Sequence, residues 1–97
     1  MSAICGGWSE ATGLSEEEFQ MVCSLQDQVH HHLGRTTSHF TPIASKKQVV
    51  AGLNYFVKVQ VGEDAYVHVK IFKPLPHTGQ PAEVKEVHDS KTLEDAL

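Results

Sequence analysis

The sequence predicts an α+β fold in which one helix near the amino terminus is wrapped by an antiparallel sheet of four to five strands. Apolar residues recur every three or four positions over residues 15–34, and several segments after Gly34 alternate between apolar and polar residues. Because such a sheet has one apolar face, the helix with its apolar stripe is expected to cover it. The 97 residues are expected to form one domain, in which residues 1–14 are an extended, mobile arm.

The predicted helix has clear signals at both ends. Ser15 and Glu18 have the spacing of a capping box, and the glutamates at 16–18 place negative charge at the positive end of the helix dipole. Gly34 is a favourable residue for ending the helix. The predicted apolar stripe consists of Phe19, Val22, Leu25 or Gln26, Val29 and Leu33.

The segments after the helix read as strands that are separated by turn residues. Pro42 implies an edge position or a bulge in the first strand, residues 62–65 form a turn by composition, and Pro74 closes the third strand. The predicted strands are residues 40–50, 54–61, 66–73 and 82–88. The residues predicted to share the apolar face are Tyr55, Val57, Val59, Val61, Val67, Val69 and Ile71.

Composition and charge argue against several classes of partner. The formal net charge is −4 and the eight lysines and arginines are scattered, so no nucleic-acid surface is expected. No apolar run is long enough for a membrane span, and the first residues lack the features of a signal peptide. We therefore expect a cytoplasmic protein, with the nucleus as an additional location. Cys5 and Cys23 fit this compartment, and a disulfide between them is disfavoured.

Two groups of reactive side chains are candidates for catalytic or metal sites. The histidines at 30–32 are consecutive, and neighbouring helical residues point about 100° apart, so they cannot converge on one metal ion. Cys23 lies within the helix near the apolar stripe, and Cys5 lies in the arm, where a catalytic geometry could not be held. Neither a metal, a cofactor nor an enzymatic activity is therefore predicted.

An apolar hairpin tip is the feature that most favours a binding function. Val49 and Val50 stand at a bend where Asn, Asp and Gly are usual, and residues 75–77 form a second apolar bend. If the strands alternate in direction, both bends fall at the same end of the sheet, and the glycine arm placed there would complete a wedge. The predicted binding residues are Gly6, Gly7, Gln48, Val49, Val50, Ala51, Gly52, Leu75, Pro76 and His77.

The motif "QVVAG" at 48–52, preceded by a glycine in the arm and followed by "LPH" at 75–77, resembles the cystatins. The "ICGG" start, the length and the missing signal peptide and disulfide framework are similar to the stefin branch, over about residues 4–88. The resemblance implies a cystatin-like fold and a reversible, tight-binding inhibitor of papain-like cysteine proteases such as cathepsins of the B, H, L and S type. It implies that Gly6, the first hairpin and the second hairpin enter the active-site cleft.

Two features depart from the stefin pattern, and one alternative function stays open. Trp8 follows the glycines of the arm, and the tail at residues 90–97 lacks the aromatic ending of typical stefins. The alternative is a non-inhibitory binding or self-assembly module that uses the same edge. In that case the protein, otherwise expected to be a monomer, would form a domain-swapped dimer, because Val49 and Val50 favour an extended chain.

Overall fold

A computed structural model describes residues 11–97 and confirms the α+β architecture. A single antiparallel sheet has its four strands in chain order, and two short helices pack on one face. The elements are α1 Glu16–Ser24, α2 Gln26–Leu33, β1 Thr41–Val50, β2 Gly52–Gln60, β3 Tyr66–Lys73 and β4 Glu83–Lys91, with a 3₁₀ turn at Pro76–Thr78. Within residues 11–97, the helices are too short and too polar to span a bilayer.

The helix begins with the predicted capping box and is interrupted once. The Ser15 hydroxyl accepts a hydrogen bond from the Glu18 amide at 3.2 Å, and the Ser15 amide donates to the Glu18 carboxylate at 2.9 Å. At Leu25 the backbone leaves the helical region, with φ −98° and ψ 10°. The Ser24 hydroxyl donates to the Met21 carbonyl at 2.6 Å, a bond that bends helices. The predicted single helix is therefore two helices, and Gly34 ends the second with φ 74°.

The apolar stripe is confirmed except at its first residue. Val22, Leu25 and Val29 are buried in the core, but the side chain of Phe19 is 40% exposed. The inward position of the first turn is taken by Glu18, one residue earlier and therefore about 100° away around the helix axis. The prediction that Phe19 belongs to the stripe was wrong, because capping and a charge pair direct the neighbouring Glu18 inward.

The first strand shows both consequences expected from Pro42. The pairing register between β1 and β2 shifts between Pro42 and Ala44, and β1 lies at one edge of the sheet. Thr12 forms an antiparallel bridge to Ser45 through two backbone hydrogen bonds of 2.8 Å. The bridge connects the last part of the predicted arm to the edge strand, while residues 1–10 of that segment lie outside the described residues.

The core lies between the helices and the inner face of the sheet. Every residue predicted for the apolar face of the two central strands is buried, and Val84 of β4 joins them. Burial of a valine or isoleucine side chain contributes roughly 1.5–3 kcal/mol, so this layer provides most of the stabilisation of a domain this small. The buried apolar residues of this layer are Tyr55, Val57, Val59, Val67, Val69, Ile71 and Val84, together with Val61 directly after β2.

The outer face of the sheet is partly covered by the last residues of the chain. We call residues 92–97 the C-terminal strap. The Lys58 ammonium donates to the carbonyls of Leu93 at 2.5 Å and Asp95 at 2.7 Å, and the Lys46 ammonium donates to the Leu97 carbonyl. Lys58 and His68 are consequently buried on a face that the sequence pattern indicated as polar.

Candidate functional site

The first hairpin ends in a tight, apolar tip. Val50 pairs with Gly52, which leaves Ala51 alone at the turn. Val49 is 58% exposed, Ala51 is also exposed, and Val50 is half-buried. The Asn54 amide donates to the Gln48 side-chain oxygen at 3.0 Å and links the two strands just below the tip. The tip is therefore an exposed apolar bend held by strand pairing.

Gly52 is the residue of the motif that makes this turn possible. It is buried, with φ 129°, a conformation that side chains rarely adopt. A Cβ atom at this position would lie 2.6 Å from the Lys73 carbonyl oxygen and 3.1 Å from the Phe72 ring. Gly52 therefore lets β2 start directly against β3, and it shapes the tip without offering exposed surface of its own.

The second bend connects β3 to β4 and is held by local hydrogen bonds. Both the backbone amide and the hydroxyl of Thr78 donate to the Leu75 carbonyl, at 3.1 Å and 2.7 Å. The turn Pro76–Thr78 then reverses the chain, and Gly79 follows with φ 68°. Leu75 is 40% exposed and His77 is exposed, so the bend presents an apolar and a polar side chain side by side.

The fold brings the two bends to the same end of the sheet. A small cleft of about 240 Å³ lies between them. Its lining residues are Val49, Val50, Gly52, Leu53, Lys73, Pro74 and Leu75. Val49, Val50, Gly52 and Leu75 were predicted as site residues, whereas Leu53, Lys73 and Pro74 were not. Leu53 and Lys73 could have been predicted as well, because they directly adjoin the two predicted bends. In the structure they are opposite each other in the two strands that lead to the bends.

The remaining predicted site residues are distributed differently. Gln48, Ala51 and His77 are sequence neighbours of lining residues but do not line the cleft, and Pro76 is the first residue of the turn Pro76–Thr78. The arm glycines Gly6 and Gly7 lie outside the described residues, as do Cys5 and Trp8.

A charged cluster lies at the base of the first hairpin. The Lys47 ammonium is 2.9 Å from the Glu18 carboxylate and 6.0 Å from the centre of the Tyr55 ring. Burial alone would raise the pKa of Glu18, but the Ser15 amide and Lys47 together lower it below its usual value. The hydrogen bond from Lys47 to Glu18 raises the pKa of Lys47. Sequence spacing could not reveal this pair, because its members are 29 positions apart and meet only through tertiary packing.

The three consecutive histidines and Cys23 do not form a reactive cluster within residues 11–97. His30 is half-buried, with a 2.9 Å hydrogen bond to Thr37 and an edge contact with Phe40, while His31 and His32 are exposed. Burial raises the pKa of the free Cys23 thiol, which keeps it protonated. In the described part of the chain, no three His, Cys, Asp or Glu residues are grouped as a metal site.

Comparison with known proteins identifies the protein family that has this fold and these two apolar bends. Residues 34–94 match the Cystatin domain, and the chain belongs to the cystatin family. Cystatin-A1 of Sus scrofa is 37% identical over 92 residues, which cover 95% of this chain and 89% of that protein. Cystatin-B of Oplegnathus fasciatus is 33% identical over 97 residues, covering 100% of this chain and 97% of the relative.

The name of a third relative states an inhibitory activity. Leukocyte cysteine proteinase inhibitor 1 of Sus scrofa is 33% identical over 94 residues, covering 97% of this chain and 91% of that protein. The resemblance to the stefin branch is confirmed. The pattern of the segments 48–62 and 66–77 predicts the greatest likeness to cystatin B, whereas the matching relatives include cystatin-A types at 35–37% identity and cystatin-B types at 31–33%.

Proposed function

We propose that this chain is a reversible, tight-binding inhibitor of papain-like cysteine proteases, with cathepsins of the B, H, L and S type as targets. The observation that supports it best is that Val49, Ala51 and Leu75 expose apolar side chains at one end of the sheet, beside the cleft that Lys73 also lines. Family membership, together with the name of the porcine leukocyte inhibitor, supports the same activity. The activity is binding, and the chain is not an enzyme.

The proposed mechanism is steric blocking of the target's active-site cleft by a wedge of three segments. The tip has apolar side chains, so its burial costs little polar hydration, and strand pairing holds the bend before binding. Preorganisation of this kind lowers the ordering cost of association. The cysteine and histidine that carry out proteolysis belong to the target, and the inhibitor places no peptide bond in a geometry for attack.

Each predicted site residue has a proposed role in the wedge. Gly6 and Gly7 let the arm approach the substrate side of the cleft, and residues 48–52 cover the catalytic centre. Leu75, Pro76 and His77 form the second contact. Together the three segments can supply the roughly 1,600 Å² buried in protease–inhibitor complexes.

Substitution of the exposed tip valine tests the proposal. Val49→Asp should weaken inhibition of papain by at least about a hundredfold, because burial of an unpaired carboxylate in an interface is costly. Leu93→Asp is the matched control, since Leu93 is also an exposed apolar residue but lies in the C-terminal strap. Titration of papain by the unmodified protein should give stoichiometric and reversible loss of activity. Absence of inhibition at micromolar protein would contradict the proposal.

The second candidate function is a non-inhibitory or self-assembling module. It is favoured by the one-residue turn at Ala51 between two long, paired strands, because opening of that turn would yield one continuous extended strand. We propose the monomer as the inhibitory state and a domain-swapped dimer as the alternative. The proposed location is the cytoplasm, with the nucleus as an additional location, on the basis of the resemblance to stefins.

A further inference from the structure

We propose that Glu18 is a positioning residue for inhibition, because its ion pair with Lys47 fixes the base of the first hairpin to the start of the helix. This inference rests on the proposed inhibitory function. It assigns Glu18 no contact with the protease. The pair acts by keeping the tip at residues 48–52 in the orientation in which it enters the cleft.

Both oxygens of the Glu18 carboxylate are engaged by different elements. One oxygen accepts from the Ser15 amide at 2.9 Å, and the other is 2.9 Å from the Lys47 ammonium. Only 13% of the Glu18 side chain is exposed. Because the capping bond holds one oxygen, the carboxylate has a fixed direction and the second oxygen is presented to β1. The group therefore links the first turn of α1 to the edge strand.

The link is placed where the projecting part of the hairpin begins. Lys47 directly precedes Gln48 and pairs across the strands with Tyr55, whose buried ring lies under the ammonium group. From that point to the turn, the hairpin consists of three strand pairs and Ala51. The edge strand is paired with β2 along its length, and Glu18 adds an anchor from the helix side. An anchor at this point limits tilting of the whole projecting segment.

The charges of the pair persist into acidic solution. The titratable groups that line one small cavity with Glu18 are Lys47 from β1, Tyr55 from β2, Lys73 from β3 and the neighbouring Glu17 of α1. The pKa of Glu18 lies below 4.5, and that of Lys47 lies above 10.5. Both groups are therefore charged between pH 5 and pH 7, and the anchor weakens only when pH falls through the lowered pKa of Glu18.

The test compares two glutamines in the same helical turn. Glu18→Gln retains a side-chain oxygen for the Ser15 amide and removes the charge that holds Lys47. Glu17→Gln makes the same charge change at an exposed neighbour and is the matched control. We expect Glu18→Gln to raise the dissociation rate of the papain complex about two- to fivefold, and Glu17→Gln to leave it unchanged.

The pH dependence separates positioning through the ion pair from a general loss of packing. The ratio of the dissociation rates of Glu18→Gln and unmodified protein should be constant from pH 7 to pH 5. The ratio should fall towards one only as pH drops through the lowered pKa of Glu18, because the Glu18 carboxylate of the unmodified protein then becomes protonated. A ratio that stays constant through the whole titration of the Glu18 carboxylate, followed by NMR in the free protein, would exclude the charge of Glu18 from the effect.

A measurement on the free protein tests the inference independently of inhibition. In hydrogen–deuterium exchange, Glu18→Gln should speed exchange of the amides of residues 48–54 and leave the core amides of Val57 and Val69 unchanged. Failure of the unmodified protein to inhibit papain would contradict the proposed function alone. Unchanged exchange at residues 48–54 would overturn the positioning role, and so would unchanged dissociation in a protein that inhibits.

Discussion

At the scale of single residues, Gly52 shows how one position can combine a conformational and a steric requirement. Its φ of 129° disfavours any side chain, and the Lys73 carbonyl occupies the space that a Cβ would need. Within the proposed inhibitory motif, the glycine is therefore a shaping residue, and the proposed contacts with a target are assigned to Val49 and Ala51. The distinction between shaping and contacting residues can be measured.

Gly52→Ala should lower the free energy of unfolding by at least about 2 kcal/mol, because backbone strain adds to the clash with Lys73. Gly34→Ala is the control, since Gly34 also has a positive φ but a Cβ there would have no heavy atom of the described residues within 4 Å. Urea unfolding and papain titration of both variants check the prediction. Equal losses in the two variants would show that the approach of Lys73 to Gly52 is unimportant.

At the scale of elements, the β1–β2 hairpin has two properties that oppose each other. The strands are long and well paired, yet the turn between them has a single unpaired residue, Ala51, flanked by the β-branched Val50. A tight turn keeps the tip rigid for binding. The same turn can open into one extended strand, which would remove the tip altogether.

Mild heating should therefore convert part of the protein into dimers, as measured by size-exclusion chromatography. In these dimers residues 48–52 would be extended between two copies, so the dimer fraction should lose inhibition of papain. The monomer fraction from the same column is the control and should inhibit fully. A dimer that inhibits as well as the monomer would show that exchange does not occur at this hairpin.

At the scale of the whole molecule, the sheet is covered on both faces by different means. The helices bury an apolar layer on the inner face, while the C-terminal strap buries polar groups on the outer face. His68 is 1% exposed, contacts the Phe56 ring edge to face, and has no hydrogen-bond partner for Nε2 among the described residues. Burial and the nearby Lys58 and Lys91 lower its pKa below 6.5, although Asp95 opposes them.

The lowered pKa of His68 makes the stability of the domain depend on pH. Well above pH 6.5 the imidazole is neutral in both folded and unfolded chains, so its contribution to stability is complete. As pH falls below 6.5, the unfolded chain binds a proton more readily, and the free energy of unfolding decreases until the lowered folded-state pKa is reached. Urea unfolding between pH 7.5 and pH 4.5 should show this decrease, and His68→Phe should reduce it. His31→Gln, an exposed site, should leave it unchanged.

Some features of the helices and strands could be predicted from neighbouring residues in the sequence, and others could not. The Ser15 cap, the Gly34 stop and the Pro42 bulge follow from the residue itself and its neighbours, and the structure confirms them. The interruption at Leu25 and the exposure of Phe19 do not, because each depends on side-chain bonds that compete with the helical pattern.

The candidate site, like the fold, could be predicted from the sequence only in part. The apolar tip and the second bend follow from their composition and from the alternation of strands. The Glu18–Lys47 pair and the burial of Lys58 require the folded arrangement, since their partners are distant in the chain. The proposed contacts at Gly6 and Gly7 stay predictions.

The C-terminal strap is held through main-chain carbonyls, and this has a consequence for how its sequence can vary. Lys58 and Lys46 bind the carbonyls of Leu93, Asp95 and Leu97, and every amino acid supplies such an oxygen. Recognition of this kind does not depend on the side chains of Leu93 and Leu97, so the strap can dock whatever those side chains are. Substitutions at these two positions should therefore be tolerated as long as the two lysines remain, whereas Asp95 differs, because its carboxylate accepts a hydrogen bond from the Thr92 amide at 2.8 Å.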